Sequence, residues 1–573
     1  MKVLLTRLLV TAGLAFAAAC TPVETDYDVI IRGGTVYDGL GNEPVVTDIG
    51  INGDRIAAIG PLPEATARIN VDASNKVVAP GFINMLSWAT ESLIHDGRAL
   101  SDIAQGVTLE VMGEGFSMGP LSESMKADLV ARQGDIRYGV NWTTLGEYLD
   151  YLAGKGISVN VASYVGATSL RIHEVGYDNR AATDAELGNM RELVREAMRE
   201  GALGVGSSLI YAPANFASTE ELIGLVSAAA EFGGAYISHI RSEGNRLEEG
   251  VQELIKIASI TGAPAEIYHL KASGKENWHK LLNVFELVES ARSIGLDITA
   301  DMYTYPAGAT GLDAAMPLWV QEGGHDAWIE RLRDPQVRAR VVEEMNKPAD
   351  DWENFLHAAG ADGILLLEFK NEALKPLTGK TLAEVAFERG VSAAEAAIDL
   401  VIEDDSRVGA AYFLMSEDNV KRKIRRPWIS FGSDAAAIAP EGDFLKSNPH
   451  PRAYGTFARV LGRYSRDEAL LSMAEAIRRM TSLPAYNINI RDRGELTEGY
   501  FADIVVFNPR KIIDNATFDE PHQLATGVEH VFVNGVHVLR NGDHTGATPG
   551  RVVRGPGWIG WPENSASGAP AGP

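Results

Sequence analysis

Eight short apolar runs, each followed by helical text, constrain this chain more than any other feature. They are VVAPGFI (77–83), GVTLEVMG (106–113), SVNVASYVG (158–166), LGVGSSL (203–209), GAYISHI (234–240), PAEIYHL (264–270), DITADMY (297–303) and PWISFGS (427–433). The runs are apolar nearly throughout rather than alternating, as expected of parallel strands covered on both faces. Segments such as 184–201 and 247–262 lie between them, with apolar residues recurring at helical spacing. Eight units of strand and crossover helix predict an α/β fold, a (β/α)8 TIM-like barrel over residues 76–489.

Two features fall outside that repeat. The stretch between the seventh and eighth runs is too long for a plain crossover. It carries helical text such as DPQVRARVVEEMN and TLAEVAFERGVSAAEAAIDLVIEDD, which predicts a helical insertion over about 306–425, placed as a lid on the barrel mouth. Short strands broken by turn signals occupy 27–75 and return in 490–556, as in DVIIRGGTVYDG and HVFVNGVHVLRNG. These two pieces are expected to join as one small composite β-sandwich. Residues 557–573, rich in Pro, Gly, Ser and Ala, read as a disordered tail.

Residues 1–20 read as a signal peptide: Lys2 and Arg7 supply charge before an apolar stretch that ends at Cys20, the only cysteine. The ending resembles a bacterial lipobox, which implies a lipid anchor at Cys20 and a membrane-anchored lipoprotein. The alternative is cleavage after a nearby alanine and release into the periplasm. With one cysteine, the mature domain holds no internal disulfide. A net charge of −25 argues against a nucleic-acid partner. An anionic substrate would need local basic residues to capture it. Nothing in the sequence sets the oligomeric state.

In a barrel of this kind, chemistry sits at the C-terminal ends of the strands. The second run ends in Gly113-Glu114-Gly115, the fifth carries His239, the sixth His269, and the eighth ends in Gly432-Ser433-Asp434. Two imidazoles and two carboxylates on one rim suit a divalent ion such as Zn2+ with a position left for water. The plainer reading is a pair of hydrogen-bonded rim histidines. Lys271 and Arg241 each lie two residues beyond a rim histidine, so strand alternation aims them at the same face.

At this point the chain resembles the amidohydrolase superfamily, and within it the D-aminoacylase (N-acyl-D-amino-acid deacylase) family. The resemblance rests on ordered motifs along nearly the whole mature chain, among them VVAPGFIN, GVTLEVMGEG, GSSLIYAPA, ISHIRSE, YHLKASG, DMYTYPAG, ISFGSD and NPHPRAYGTFARVLG. It implies metal ligands at Glu114, His239 and His269, with Glu114 standing where well-known members use cysteine. It implies Asp434 as the general base and then acid, Lys271 as the partner of a substrate carboxylate, and Tyr211 and Tyr303 as substrate contacts, with Tyr305 the alternative to Tyr303. Arg241 is a further substrate-binding candidate. His450 lies in the loop after the eighth run.

One departure is plain. Leu86 and Trp88 occupy the His-x-His positions after PGFI, and Ala167 stands where relatives often carry another histidine. Neither Leu86 nor Trp88 binds a cation of this type, so one Zn2+ rather than two is expected. The function implied is deacylation of N-acyl-D-amino acids. The alternatives are another amide, cyclic amide or dipeptide hydrolase of the superfamily, or an exported binding protein without catalysis.

Overall fold

The structure is a computed structural model that describes residues 25–561. The signal-peptide and Cys20 expectations lie outside the described residues, as does 562–573. Among the described residues no helix is long and apolar enough to cross a membrane.

The chain opens with β1 (Tyr27–Val36), β2 (Val45–Asn52), β3 (Arg55–Gly60), β4 (Ala67–Asp72) and β5 (Val77–Pro80). The parallel strands follow: β6 (Phe82–Asn84), β7 (Val107–Met112), β8 (Asn160–Ser163), β9 (Val165–Gly166), β10 (Gly204–Ser208), β11 (Ala235–His239), β12 (Ala265–Ile267) and β13 (Ile298–Met302). The insertion contributes β14 (Gly308–Gly311), β15 (Ile364–Glu368) and β16 (Gly409–Tyr412) before β17 (Ile429–Phe431) rejoins the parallel set. The chain closes with β18 (Ile504–Phe507), β19 (Val528–Val533), β20 (Val536–Arg540) and β21 (Asp543–His544).

The parallel strands form two arcs, β6-β7-β8 and β17-β13-β12-β11-β10-β9, rather than one continuous ladder. Backbone bonds cross both seams. Leu203 N–H donates to Ser163 O at 3.0 Å, and Met85 N–H donates to Phe431 O at 3.3 Å. Ser87 also pairs with Ala435 in a parallel bridge. Each run expected from the sequence contributes to this set, but two are divided: 158–166 gives β8 to one arc and β9 to the other, and the first run also splits.

Residues 77–83 split at Gly81. Val77–Pro80 pairs antiparallel with β18, whereas Phe82–Asn84 pairs parallel with β7. A Cβ at Gly81 would lie 2.2 Å from Thr108 Oγ1, so only glycine lets the chain pass from one sheet to the other here.

The two chain ends build one nine-stranded sheet, ordered β21-β20-β19-β18-β5-β1-β2-β3 with β4 on β1. It curls on itself: Ile56 N–H donates to Tyr500 O at 2.9 Å and Ala502 N–H to Asp54 O at 2.9 Å. Ile31, Ile49, Val71, Ile504 and Phe532 fill the concavity. The unit thus takes in residues 77–80, beyond the expected boundary at 75.

The insertion has its own core, with Leu312, Trp328, Phe355, Ile398 and Val401 buried together. Its helix starts are legible, as in the capping boxes Thr381/Glu384 and Ser392/Glu395. It is not purely helical, however, because β14-β16-β15 form an antiparallel sheet. Strands reading GATG and GAAY are too short and too poor in β-branched residues to announce themselves. The expected tail disorder also fails over 557–561. Ile559 N–H donates to Arg199 O at 3.1 Å, and the Trp558 and Trp561 rings meet at 5.1 Å.

On the terminal sheet, His530 Nδ1 lies 3.1 Å from His537 Nε2. Burial, aided by neighbouring positive charge, pushes both imidazoles down to about 4. An unfolded histidine titrates near about 6.5. Between those values the unfolded chain binds more protons, so stability falls as pH drops through this window and the contribution is exhausted below it. Thermal melts across the window are expected to show a falling midpoint, and His537→Gln should make that fall shallower.

Candidate metal centre and active-site cavity

Glu114 follows β7 between two glycines with φ of 103° and 68°. A Cβ on Gly113 would lie 2.3 Å from Tyr164 O, and one on Gly115 would lie 2.3 Å from Ser208 Cβ. The loop therefore passes so close to its neighbours that only glycine fits on either side of the carboxylate. His239 is the last residue of β11. His269 lies two residues past β12 at φ 34°, a left-handed position. Its N–H is held by Asp301 Oδ1 at 2.9 Å.

The three side chains converge. His239 Nδ1 lies 2.9 Å and His269 Nε2 3.1 Å from the same oxygen, Glu114 Oε1. The ligand atoms all fall within 4.8 Å of one another, and all three residues are buried. Glu243 backs both rings: its Oε1 lies 3.1 Å from His269 Nδ1 and its Oε2 lies 3.5 Å from His239 Nε2. A carboxylate behind a ligating imidazole orients the ring and raises its basicity. Lys271 Nζ completes the cluster, 2.6 Å from Glu243 Oε1 and 2.7 Å from His269 Nδ1.

The electrostatics fit a cation. Burial disfavours ionised Glu114 and Glu243. The facing imidazoles, and Lys271 for Glu243, overcome it and hold both carboxyls well below the usual range. Burial and Lys271 act against protonated His269, yet Glu243, Glu114 and Asp434 push it up to about 10. The carboxylates that hold a proton on His269 would equally hold a metal ion in its place. Two imidazole nitrogens and one carboxylate oxygen form a donor set that suits zinc and leaves a fourth position open.

Asp434 follows β17 at φ 52°. Its N–H is held by Leu86 O at 2.8 Å. Its Oδ2 forms an ion pair with Arg452 Nη1 at 2.7 Å, and its Oδ1 accepts from Trp88 Nε1–H at 3.2 Å. Burial lifts its carboxyl above the usual range, with Arg452 and His269 opposing. The cluster opens into a cavity of about 630 Å³, whose far wall is the insertion, through Thr310, Asp313, Trp328, Phe355 and Arg407.

Comparison with known proteins decides what this arrangement belongs to. Residues 70–539 match the amidohydrolase family. The chain is 34% identical to D-aminoacylase of Alcaligenes xylosoxydans xylosoxydans, over 92% of this chain and 97% of that one. The chain belongs to the amidohydrolase family. Two solved structures resemble this amidohydrolase. A D-aminoacylase studied for its binuclear metal centre, with one-metal activation and second-metal attenuation, has a TM-score of 0.76 at 32% identity, covering 92% of this chain and 100% of its own. The N-acyl-D-glutamate deacylase of Bordetella bronchiseptica, complexed with zinc and a phosphonate inhibitor, has a TM-score of 0.76 at 31% identity, covering 92% of this chain and 99% of its own. This amidohydrolase is therefore D-aminoacylase-like, an enzyme acting on carbon–nitrogen bonds.

The structure brings Glu114, His239, His269, Asp434, Lys271, Tyr211 and Tyr303 to this amidohydrolase's cavity. Tyr211 Oη donates to Thr310 Oγ1 at 2.9 Å, and its ring stands 5.4 Å from that of His239. Tyr303 rather than Tyr305 faces the site, since Tyr305 Oη turns to Asp514 at 3.3 Å.

Arg241 is a correction. Its guanidinium binds Glu253 Oε1 and Oε2 at 2.9 and 2.8 Å and the carbonyls of Asn215 and Ala217, away from the metal cluster. The strand stops at His239, so alternation does not carry through to 241. His450 is also structural, with Nε2 on Ala307 O and Nδ1 accepting from Arg452 N–H, both at 3.0 Å.

Sequence reasoning missed Glu243, Arg407 and Arg452 in this amidohydrolase. Glu243 lies past the end of β11, Arg407 lies just before β16, and Arg452 opens the helix Arg452–Arg459, so none stands at the strand ends that the repeat picks out. Glu243 carried the one available signal, a carboxylate four residues after a rim histidine. Leu86 is wholly buried in the apolar core.

Proposed function

We propose that this amidohydrolase deacylates N-acyl-D-amino acids, releasing a carboxylate and a D-amino acid, with a single Zn2+ held by Glu114, His239 and His269. The observation that carries this reading is the buried Glu114–His239–His269 cluster at the floor of a cavity that also presents Asp434 and Lys271. The names of the similar proteins, D-aminoacylase and N-acyl-D-glutamate deacylase, point to the same substrate class. A zinc ion in such a site polarises an amide carbonyl and lowers the pKa of its water to about 7.

The chain's own residues supply the rest. Asp434 takes the proton of the attacking water and returns it to the amide nitrogen, which leaves only when protonated. Arg452 and Trp88 hold one oxygen each of Asp434, fixing its plane. Glu243 keeps both imidazoles oriented. Lys271, with Arg407 and Arg132 also on the cavity wall, supplies cationic groups for a substrate carboxylate in a chain of net charge −25. The likeness to D-aminoacylase also supports reading the two parallel arcs as one deformed barrel.

A panel of N-acyl-D- and N-acyl-L-amino acids tests the proposal. Hydrolysis is expected in the D series, and activity on neither series would reject it. A hydrogen bond to a charged group is worth about 1.5–3 kcal/mol, so Lys271→Met should lower kcat/KM by roughly 10- to 100-fold. If Lys271 binds the substrate carboxylate, that loss should shrink for N-acyl amines lacking it. An equal loss on both substrates would assign Lys271 to holding Glu243 alone. Export with a lipid anchor at Cys20 is the accompanying localisation proposal. Cys20→Ala should move the protein from the membrane to the soluble fraction.

A further inference from the structure

The two positions that set this chain apart, Leu86 and Trp88, end in different places. Leu86 is wholly buried, but Trp88 is 38% exposed and lines the catalytic cavity. Its indole Nε1–H lies 3.0 Å from Glu114 Oε2 and 3.2 Å from Asp434 Oδ1. One donor thus spans the carboxylate of the metal cluster and the carboxylate that moves protons. The backbone fixes this placement. Ser87 N–H donates to Val111 O, Trp88 N–H donates to Ala435 O, and Asp434 N–H donates to Leu86 O, at 2.9, 2.9 and 2.8 Å.

We propose that the Trp88 indole N–H takes the bridging place of a second cation, making Trp88 a positioning residue for Glu114 and Asp434. Two facing carboxylates repel unless something positive lies between them. The similar D-aminoacylase is described with a binuclear metal centre whose second metal attenuates activity. An indole N–H only donates and carries no net charge, so it bridges the carboxylates without adding a cation. It leaves Glu114 Oε1 to the two imidazoles and Asp434 Oδ2 to Arg452. The chain then has one metal position built in, and its activity should not be attenuated by excess zinc.

The inference rests on the single-metal deacylase reading: its zinc and emission arms on the one-ion part, its kinetic arm on the deacylase part. Zinc content, tryptophan emission and kinetics are measured on the full chain, on Trp88→Phe, which keeps a flat apolar ring but lacks the donor, and on Trp88→His. The wild type is expected to hold one zinc in excess metal and to change its emission on uptake. Trp88→Phe should lose that emission change. It should also lose at least about tenfold in kcat with KM nearly unchanged, the low end for removing a partner behind a metal ligand. Trp88→His should take up a second zinc.

Two zinc ions in the wild type, a full emission change in Trp88→Phe, unchanged kcat in that variant, or a single zinc in Trp88→His would each overturn the proposal. The metal and emission arms need no substrate. Inactivity of the wild type on every acylated amino acid would therefore defeat the deacylase reading while these arms still judge Trp88.

Discussion

His239→Ala is expected to strip the metal and leave a folded, inactive protein. The imidazole lies at the end of β11, and its Nδ1 lies 2.9 Å from Glu114 Oε1. Its removal leaves His269 as the sole imidazole and a buried carboxylate short of one partner. The loss of Lewis-acid stabilisation, several kcal/mol, corresponds to about 10³-fold or more in kcat/KM. Elemental analysis should find zinc near zero at concentrations that saturate the wild type, with far-ultraviolet dichroism retained. Full zinc content in the variant would show that Glu114 and His269 do not share their ion with His239.

Asp434→Asn is the second large effect, and its signature differs. The amide preserves the size of the side chain and accepts from Trp88 as the carboxylate does, but it cannot take up a proton. Removing a general base and acid typically costs about 10²- to 10⁴-fold in kcat, with zinc content unchanged. Because leaving-group protonation is lost as well, substrates with better leaving groups should suffer less. A variant within tenfold of the wild type would return Asp434 to a structural role, supported by its ion pair with Arg452 and its left-handed backbone.

The separation of these outcomes follows from what each residue touches, and the sequence displayed that only in part. Glu114, His239, His269 and Asp434 were legible because each closes an apolar run, and strand ends are fixed by topology. Beyond the strand ends that logic stops. Arg241 and Lys271 have the same spacing from a rim histidine, yet only Lys271 reaches the site, because His269 has already turned into the left-handed region. Arg452 opens the helix Arg452–Arg459 and Arg407 lies in the insertion, where contacts with distant residues decide direction. The division of the first parallel run at Gly81 was hidden for a related reason. Seven apolar residues read as one strand, and the glycine that redirects them is explained only by Thr108 pressing against it.

That division at Gly81 has a consequence for biogenesis. β5 must pair with β18, and β6, two residues further on, must pair with β7. A segment made early thus stays unmatched along one edge until the last strands leave the ribosome. The parallel set can begin to assemble, but its first strand is anchored to a sheet that only the C-terminal residues complete. Final closure of the fold therefore waits until the whole polypeptide has been made. Deletion of β18–β20 should accordingly leave the arcs loosely formed and the Glu114–His239–His269 cluster unable to retain zinc.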